Sequence, residues 1–143
     1  MKLYLDTSLL VSALSNEWST SQVLDWIESN KDFGFATSRW SVTEFSSALA
    51  MKVRTGHLDH DQRLATLRQF RTLIASFDLL AVEAVDFDTA AKIADREQVA
   101  LRSGDALHLA IAMRLDLPLR TLDRRFVQGA AAMECDISLV ATQ

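Results

Sequence analysis

Leu3-Tyr4-Leu5-Asp6-Thr7-Ser8 is the stretch that decides the fold of this chain. Residues 2–5 are predicted to form a short buried strand, because the apolar run is followed at once by a helical pattern. The helix is expected after Asp6, with an apolar side made of Leu9, Leu10, Val11 and Leu14. A carboxylate that directly follows a buried strand needs a structural or chemical reason for its position.

Short apolar strands and amphipathic helices alternate along the rest of the chain. Further strands are predicted at residues 33–36, 79–82, 119–122 and 137–141. Helices are predicted from Thr20 or Ser21 to Asn30, from Ser41 to Arg54, from Asp59 or His60 to Ser76, from Asp86 to Glu97 and from Ser103 to Leu115, with a brief helix near Phe126. This alternation predicts a three-layer α/β/α fold around a mainly parallel sheet.

Length and composition limit the number of domains and the kinds of site that the chain can form. A chain of 143 residues, 49% of them hydrophobic, is predicted to form a single domain over residues 1–143. The only cysteine, Cys135, excludes an internal disulfide and a cysteine-based zinc site. No apolar run approaches the roughly 20 residues of a membrane span, and the apolar start is too short for a signal peptide. We therefore expect a cytoplasmic protein without a membrane partner.

Four acidic residues stand where predicted strands end or helices begin. Asp6 and Asp123 follow strands, Asp105 begins a helix, and Glu44 lies in the first turn of one. Ligand sites of parallel sheets lie beyond the carboxyl ends of the strands, where these side chains would meet and repel one another. A divalent cation replaces that repulsion by attraction, and an all-carboxylate oxygen site suits Mg²⁺ or Mn²⁺. The pattern indicates a metal-dependent phosphodiesterase.

Each of the four acids also has a purely structural explanation. Asp6 could cap the first helix, and Ser41 with Glu44 fits a capping box. Asp105 would gain from a helix dipole, and Asp123 could be a turn residue. These explanations stay open for each residue singly, whereas the common position of all four at one mouth of the sheet favours a shared site.

The motifs together resemble a known family. In chain order they are Tyr4-Leu5-Asp6-Thr7-Ser8, Ser41-x-x-Glu44-Phe45, Gly104-Asp105-Ala106-Leu107-His108-Leu109-Ala110-Ile111-Ala112 and Thr121-Leu122-Asp123-x-x-Phe126. This order resembles the PIN domain, and within it the VapC toxins of bacterial toxin–antitoxin pairs, over residues 3–141.

The resemblance implies an endoribonuclease that depends on Mg²⁺ or Mn²⁺ and hydrolyses RNA phosphodiester bonds with a metal-activated water. Asp6, Glu44, Asp105 and Asp123 match the family's acidic residues, with catalytic and metal-binding roles. Ser8 and Thr121 match its polar helpers, which hold a carboxylate or a metal-bound water. The products would carry 5′-phosphate and 3′-hydroxyl ends.

The resemblance also implies partners. A cognate antitoxin protein would block the site, and we expect an arginine or lysine of that partner to reach the acidic pocket. Binding to DNA would occur only indirectly, through the antitoxin, and the family implies a homodimer. The net charge of −4 argues mildly against a nucleic acid substrate, unless several acids surround metal ions.

Several other side chains have two interpretations. Arg120, Arg124 and Arg125 flank Asp123 and could bind RNA phosphates, or could form salt bridges with nearby acids. His108 could be a ligand or a proton donor, although packing beside the site is favoured. His57 and His60 are expected to be solvated in an interhelical turn.

The three tryptophans form a separate group of candidates. Trp18 and Trp40 are predicted in loops and Trp26 on a helix. Core packing or a dimer contact is favoured for them over base stacking.

Two rival functions remain open. An aspartate-nucleophile phosphatase would use Asp6, but that chemistry usually wants a second Asp two residues later, where this chain has Ser8. A non-catalytic PIN-like scaffold would keep the fold without the chemistry, and the presence of all four acids argues against it.

Overall fold

The computed structural model of the protein describes residues 1–142, which contain one five-stranded sheet. The strands are β1 (Leu3–Leu5), β2 (Phe35–Ser38), β3 (Asp78–Leu80), β4 (Leu119–Thr121) and β5 (Ile137–Leu139). Their order is β3-β2-β1-β4-β5, so the stretch that opens the chain is the central strand. All four pairings in this sheet are parallel, which confirms the predicted sheet type.

Helices cover both faces of the sheet. They are α1 (Thr7–Leu14), α2 (Thr20–Asn30), α3 (Arg39–Arg54), α4 (His60–Ile74), α5 (Ala84–Ala94), α6 (Ser103–Arg114) and α7 (Arg124–Gly129), with a short 3₁₀ helix at Lys31–Phe33. No helix within residues 1–142 is long and apolar enough to span a membrane.

The alternation of side chains along β1 divides the core into two clusters. Leu3 and Leu5 point to one face, where they pack with Leu9, Val23, Phe35, Phe45 and Phe70 of the α1 to α4 side. Tyr4 points to the other face and packs with residues of α5 and α6, such as Ile93, Leu109 and Ile111. The predicted three-layer α/β/α arrangement is confirmed.

The parallel topology brings one end of several elements to the same edge of the sheet. Asp6 follows the carboxyl end of β1, and Asp123 comes two residues after β4. Helix α3 follows β2 and therefore starts at this carboxyl edge. Helix α6 leads into β4 at the opposite edge, so its first residues also lie at the carboxyl edge. This shared edge is where the acidic motifs meet.

Some predicted boundaries are wrong near the site. The second strand ends at Ser38 rather than Ala36, and α3 begins at Arg39 rather than Ser41. Ser41 does not cap the helix, because its buried side chain accepts a hydrogen bond from Thr37 Oγ1 at 2.7 Å. Trp40 consequently lies in the first turn of α3, not in a loop, and Glu44 lies in the second turn.

Helix α5 also differs from the prediction. It begins at Ala84 instead of being capped by Asp86, and it ends at Ala94 rather than Glu97. The Asp86 carboxylate accepts a hydrogen bond from the Glu83 backbone N–H at 2.8 Å, so it acts from inside the first turn. After Ala94 the chain tightens into turns that carry Val99 back into the core.

An ion pair with a buried carboxylate holds α5 against α6. The Asp86 side chain is 1% exposed, and its two oxygens accept from Arg114 Nε at 2.7 Å and Nη2 at 2.9 Å. Burial alone would raise the pKa of Asp86, but the Arg114 guanidinium holds that pKa below its ordinary value. The contribution of this pair to stability is therefore present above the unfolded-state pKa and is lost as pH falls.

We expect Arg114→Ala to lower the free energy of unfolding by about 2–3 kcal/mol at neutral pH, because it leaves a buried carboxylate without its cation. Urea unfolding monitored by circular dichroism measures the change. This loss of stability should become smaller below a pH of about 4, where the unpaired carboxyl is protonated. Lys31→Ala, which breaks the exposed pair with Glu28, is the control and should cost less than about 0.5 kcal/mol. Equal losses in both variants would contradict this assignment.

Candidate active site

Asp6 is the most buried of the four acids, at 4% exposure. Its Oδ1 accepts from Ser8 Oγ at 2.6 Å, and its Oδ2 accepts from Thr121 Oγ1 at 2.7 Å. Burial raises the pKa of Asp6, and the charge of His108 and the two hydroxyl donors partly oppose that rise. Both carboxylate oxygens are thus held in place by donors from α1 and β4.

Ser8 and Thr121 also fix the backbone around the site. Ser8 Oγ accepts from the Leu122 N–H at 3.0 Å, and Thr121 Oγ1 accepts from the Asp123 N–H at 3.0 Å. The two hydroxyls therefore connect the carboxyl ends of β1 and β4. The structure brings both predicted polar helpers to a carboxylate, and it also gives them this local structural role.

Glu44 projects from the second turn of α3 and is half-buried. Its Oε1 accepts from Thr7 Oγ1 at 2.7 Å and contacts His108 Nε2. Burial alone would raise the pKa of Glu44, but the hydrogen bond and charge of His108 lower it below the ordinary range. The capping box proposed for Ser41 and Glu44 does not form, since Glu44 is engaged by α1 and α6 instead.

Asp105 lies half-buried in the first turn of α6, and its side chain makes no hydrogen bond to the part of the chain that is described. Its pKa is raised from 3.8 to about 6. Burial is the main cause, and the negative charges of Asp6, Asp123 and Glu44 add to it, while His108 partly offsets them. The other three predicted acids are therefore near enough to contribute to the raised pKa of Asp105.

Asp123 has a clear structural role in the cluster. It is the N-cap of α7, where its Oδ1 accepts from the backbone N–H of Arg125 at 2.9 Å and of Phe126 at 3.4 Å. The structural role proposed from the sequence, in which Asp123 stabilises a turn, therefore holds for Oδ1. Oδ2 makes no hydrogen bond within residues 1–142, and the charge of Asp123 contributes to the raised pKa of Asp105.

The charge of this cluster is poorly compensated. Among residues 1–142, Asp6, Asp105 and Asp123 form no ion pair with a lysine, arginine or histidine, and Glu44 pairs only with His108. No three His, Cys, Asp or Glu side chains in these described residues are arranged to hold one metal ion together. The donor set is nevertheless all oxygen, as Mg²⁺ and Mn²⁺ prefer.

A buried chain of hydrogen bonds contacts Glu44. It was not predicted from the sequence. The Tyr4 hydroxyl donates to Ser38 Oγ at 2.8 Å and lies 2.6 Å from His108 Nδ1. His108 is 1% exposed, and its other nitrogen faces Glu44. The signal was present in Tyr4, because a phenol in a buried strand needs a polar partner.

Gly104 permits the close approach of α3 and α6. A Cβ at this position would lie 3.0 Å from Glu44 Oε2 and 3.4 Å from Trp40 Nε1. Trp40 Nε1 is buried without a hydrogen-bond partner in the described residues. The absence of a side chain at Gly104 therefore leaves room for the Glu44 carboxylate beside Asp105.

An open cleft of about 860 Å³ borders two of the four acids, Glu44 and Asp123. Thr7, Ser8, Glu44 and Asp123 line it together with Trp18, Trp40 and Arg102. Arg102 is exposed at the N-cap of α6 and was not singled out from the sequence. The cleft thus combines carboxylates, hydroxyls, indole rings and a guanidinium.

The predicted arginines behave differently from one another. Arg120 is engaged in a salt bridge, since its Nη1 lies 2.9 Å from Asp136 Oδ1. Arg124 and Arg125 are exposed on α7, where they border a hollow that also includes Asp123 and Trp18. The structure therefore separates Arg120 from the two arginines that remain accessible beside the acids.

The raised pKa of Asp105 makes the stability of the protein depend on pH. Because its folded-state pKa is raised, its contribution to stability is full below pH of about 4 and is lost as pH rises through about 6. In chelator, Asp105→Asn should therefore be more stable than the wild type at pH 7, by about 1 kcal/mol after solvent screening. The advantage should disappear near pH 4.

Thermal unfolding across this pH range measures the effect. Asp25→Asn, which neutralises an exposed acid of α2, is the control and should show no such pH-dependent gain. A variant Asp105→Asn that is less stable than the wild type at pH 7 in chelator would contradict the repulsion.

Comparisons with known proteins agree with the fold and the motifs. Ribonuclease VapC35 of Mycobacterium tuberculosis is 29% identical over 136 residues, which is 92% of this chain and 91% of that protein. The crystal structure of FitAcB from Neisseria gonorrhoeae superposes with a TM-score of 0.72 at 16% identity, over 97% of this chain and 96% of that chain. The crystal structure of DNA-bound VapBC from Salmonella typhimurium superposes with a TM-score of 0.73 at 14% identity, over 97% of this chain and 98% of that chain.

A third solved structure, the sarcin–ricin loop cleaving toxin VapC20 of Mycobacterium tuberculosis, gives a TM-score of 0.68 at 16% identity, over 92% of this chain and 95% of that chain. At these identities the solved structures establish the fold. The family model for the PIN domain matches residues 3–132, which include all four acids. The chain therefore belongs to the PIN domain family.

Proposed function

We propose that this protein is a metal-dependent endoribonuclease and the toxin of a toxin–antitoxin pair. The observation that carries the proposal is the group of mutually repelling carboxylates at the carboxyl edge of a PIN-domain sheet, without lysine or arginine partners in the described residues. The name of the relative VapC35, a ribonuclease similar along nearly its whole length, supports the choice of RNA as substrate.

A divalent cation, Mg²⁺ or Mn²⁺, fits the chemistry of the site. Asp6, Glu44, Asp105 and Asp123 are the residues that would hold it, and the raised pKa of Asp105 supports a local demand for positive charge. Mg²⁺ usually keeps several waters and is bound through one or two carboxylates and substrate phosphates. It therefore does not need three protein ligands converging on one point.

The chain's own residues prepare the site for hydrolysis. Ser8 and Thr121 orient both oxygens of Asp6, and Thr7 and His108 orient Glu44. Asp105, whose pKa is raised to about 6 mainly by burial, must be ionised to hold a cation, so cation binding should strengthen as pH rises through that region. When bound, the cation supplies a more acidic water and stabilises negative charge on the phosphate.

The phosphatase alternative fits the geometry less well. An aspartate nucleophile needs a carboxylate oxygen that can reach the phosphorus of its substrate. Asp6 is buried and both of its oxygens accept hydrogen bonds from hydroxyl groups. The site therefore favours an activated water over Asp6 as the attacking group.

The partners follow from the same proposal. The solved neighbours include VapBC of Salmonella typhimurium bound to DNA, which supports a cognate antitoxin and contact with DNA through it. An arginine or lysine of that antitoxin would enter the acidic cleft, because the carboxylates lack compensating cations. We also propose a homodimer and a cytoplasmic location.

We expect purified protein to cleave total RNA with Mg²⁺ or Mn²⁺ and not with chelator. Asp6→Asn and Asp105→Asn should lower the cleavage rate at least about 100-fold, the scale on which losing one electrostatic catalytic group acts. Gel analysis of the fragments, together with the chemistry of their ends, measures the effect.

Asp25→Asn serves as the matched control, since it removes an exposed acid of α2 by the same change. Its cleavage rate should equal that of the wild type. Unchanged cleavage by both site variants, or cleavage that persists in chelator, would rule out the proposed chemistry. An inert wild type with all metals would instead favour the non-catalytic scaffold.

A further inference from the structure

We propose that Trp18 is a stacking platform for an unpaired base of the RNA substrate. This inference rests on the proposed function and adds that the substrate is single-stranded where it enters the cleft. Trp18 lies in the turn between α1 and α2 and is 73% exposed, whereas Trp26 and Trp40 are partly buried. An indole ring so fully in water is the feature to be explained.

The position of Trp18 connects it to the acids. Its side chain lines the cleft that contains Glu44, and it also borders the adjoining hollow of about 380 Å³ beside Arg124 and Arg125. Asp123 lines both cavities. A strand whose phosphodiester lies at the carboxylates therefore has Trp18 on the wall beside its neighbouring nucleotides.

The backbone on either side of Trp18 is anchored, so its exposure is not that of a loose loop. Glu17 pairs with Lys52 of α3 at 3.0 Å, and its N–H donates to Thr20 Oγ1 at 2.7 Å. Ser19 is buried, and its Oγ lies 2.6 Å from Ser12 Oγ. With the backbone fixed on both sides of Trp18, only the side chain itself has to be ordered when a base stacks on it, which lowers the entropy cost of binding.

The chemistry around the ring suits nucleic acid. Proteins bind single strands by stacking bases on aromatic rings along a positively charged groove, and stacking tolerates any base. Arg124 and Arg125 are exposed beside Trp18 and form no ion pair within residues 1–142, so both can donate to phosphate oxygens.

A protein partner is the competing occupant of this wall. The core of a protein interface is depleted of charged residues, whereas the cleft around Trp18 is lined by Glu17, Glu44, Asp123 and Arg102 and by several hydroxyls. Apolar side chains of Val11, Trp40, Met51 and Leu122 also line this cleft. The charged groups among them, with Arg124 and Arg125 in the adjoining hollow, offer phosphate contacts beside aromatic rings, which fits an RNA strand better than a purely apolar protein segment.

The test measures binding of a short single-stranded RNA, and of the same RNA annealed to its complement, by fluorescence anisotropy in Mg²⁺. All variants carry Asp105→Asn, which prevents cleavage, and a gel verifies that the RNA stays intact. Trp18→Ala should weaken single-strand binding about 5- to 150-fold, which corresponds to about 1–3 kcal/mol of stacking per base. Trp18→Phe should restore most of the affinity, and duplex binding should be weaker and insensitive to Trp18.

Two further variants complete the design. Trp18→Leu keeps apolar bulk without an aromatic face and should bind as weakly as Trp18→Ala. Phe33→Ala is the matched control, because Phe33 is 54% exposed but lies ahead of β2, at the opposite edge of the sheet. It should bind like the parent protein.

Wild-type affinity in Trp18→Ala or in Trp18→Leu would overturn the inference. So would a Trp18→Ala protein that keeps its RNA affinity and loses only its complex with a co-expressed antitoxin, because Trp18 would then belong to a protein interface. Failure of the proposed function is seen separately, as absence of RNA cleavage by the protein without Asp105→Asn. Trp18-dependent binding in that case would still support the platform.

Discussion

The negative charges of Asp6, Glu44 and Asp123 repel the carboxylate of Asp105 at the carboxyl edge of the sheet, and this repulsion adds to burial in raising the pKa of Asp105 to about 6. A parallel sheet with β1 at its centre leaves little freedom in where the residues after its strands lie. The fold therefore imposes an unfavourable electrostatic arrangement that burial of Asp6 makes worse. A bound cation at this edge is the simplest way to turn that arrangement into a favourable one.

Hydroxyl groups and one histidine, rather than lysine or arginine, hold Asp6 and Glu44 in position. Hydroxyl groups of Ser8 and Thr121 occupy both oxygens of Asp6, while Thr7 and the buried His108 restrain Glu44. Hydroxyl donors orient a carboxylate without cancelling its charge, so the negative potential of the cleft is retained. The exposed arginines of α7 lie in the adjoining hollow, and the indole of Trp18 borders both cavities, so a bound strand would find positive charge and an aromatic face there.

Much of this arrangement could be predicted from the sequence, because it follows from topology. The short strand before Asp6, the helix that contains Asp105 and the strand before Asp123 are local patterns, and parallel topology alone brings their ends together. The start of α3 was predicted at Ser41 because serine is a common N-cap residue. Its actual partner, Thr37, lies on the preceding strand and satisfies it inside the core.

Contacts between side chains that lie far apart along the chain could not be predicted from the sequence. The chain from Ser38 through Tyr4 and His108 to Glu44 joins two strands and two helices, and no spacing rule predicts it. The role of Gly104 depends on the distance to Glu44 across a helix pair, and the exposure of Trp18 depends on how Glu17 and Ser19 are anchored. Packing at this scale is set by tertiary structure rather than by local propensity.

The most direct test of the central claim is the anomalous difference density of crystals of the protein grown with Mn²⁺. We expect a peak at the carboxyl edge of the sheet, within coordination distance of carboxylate oxygens from the group Asp6, Glu44, Asp105 and Asp123. Saturated Mn²⁺ sites found only elsewhere, with this edge neutralised by the protein's own side chains, would contradict it.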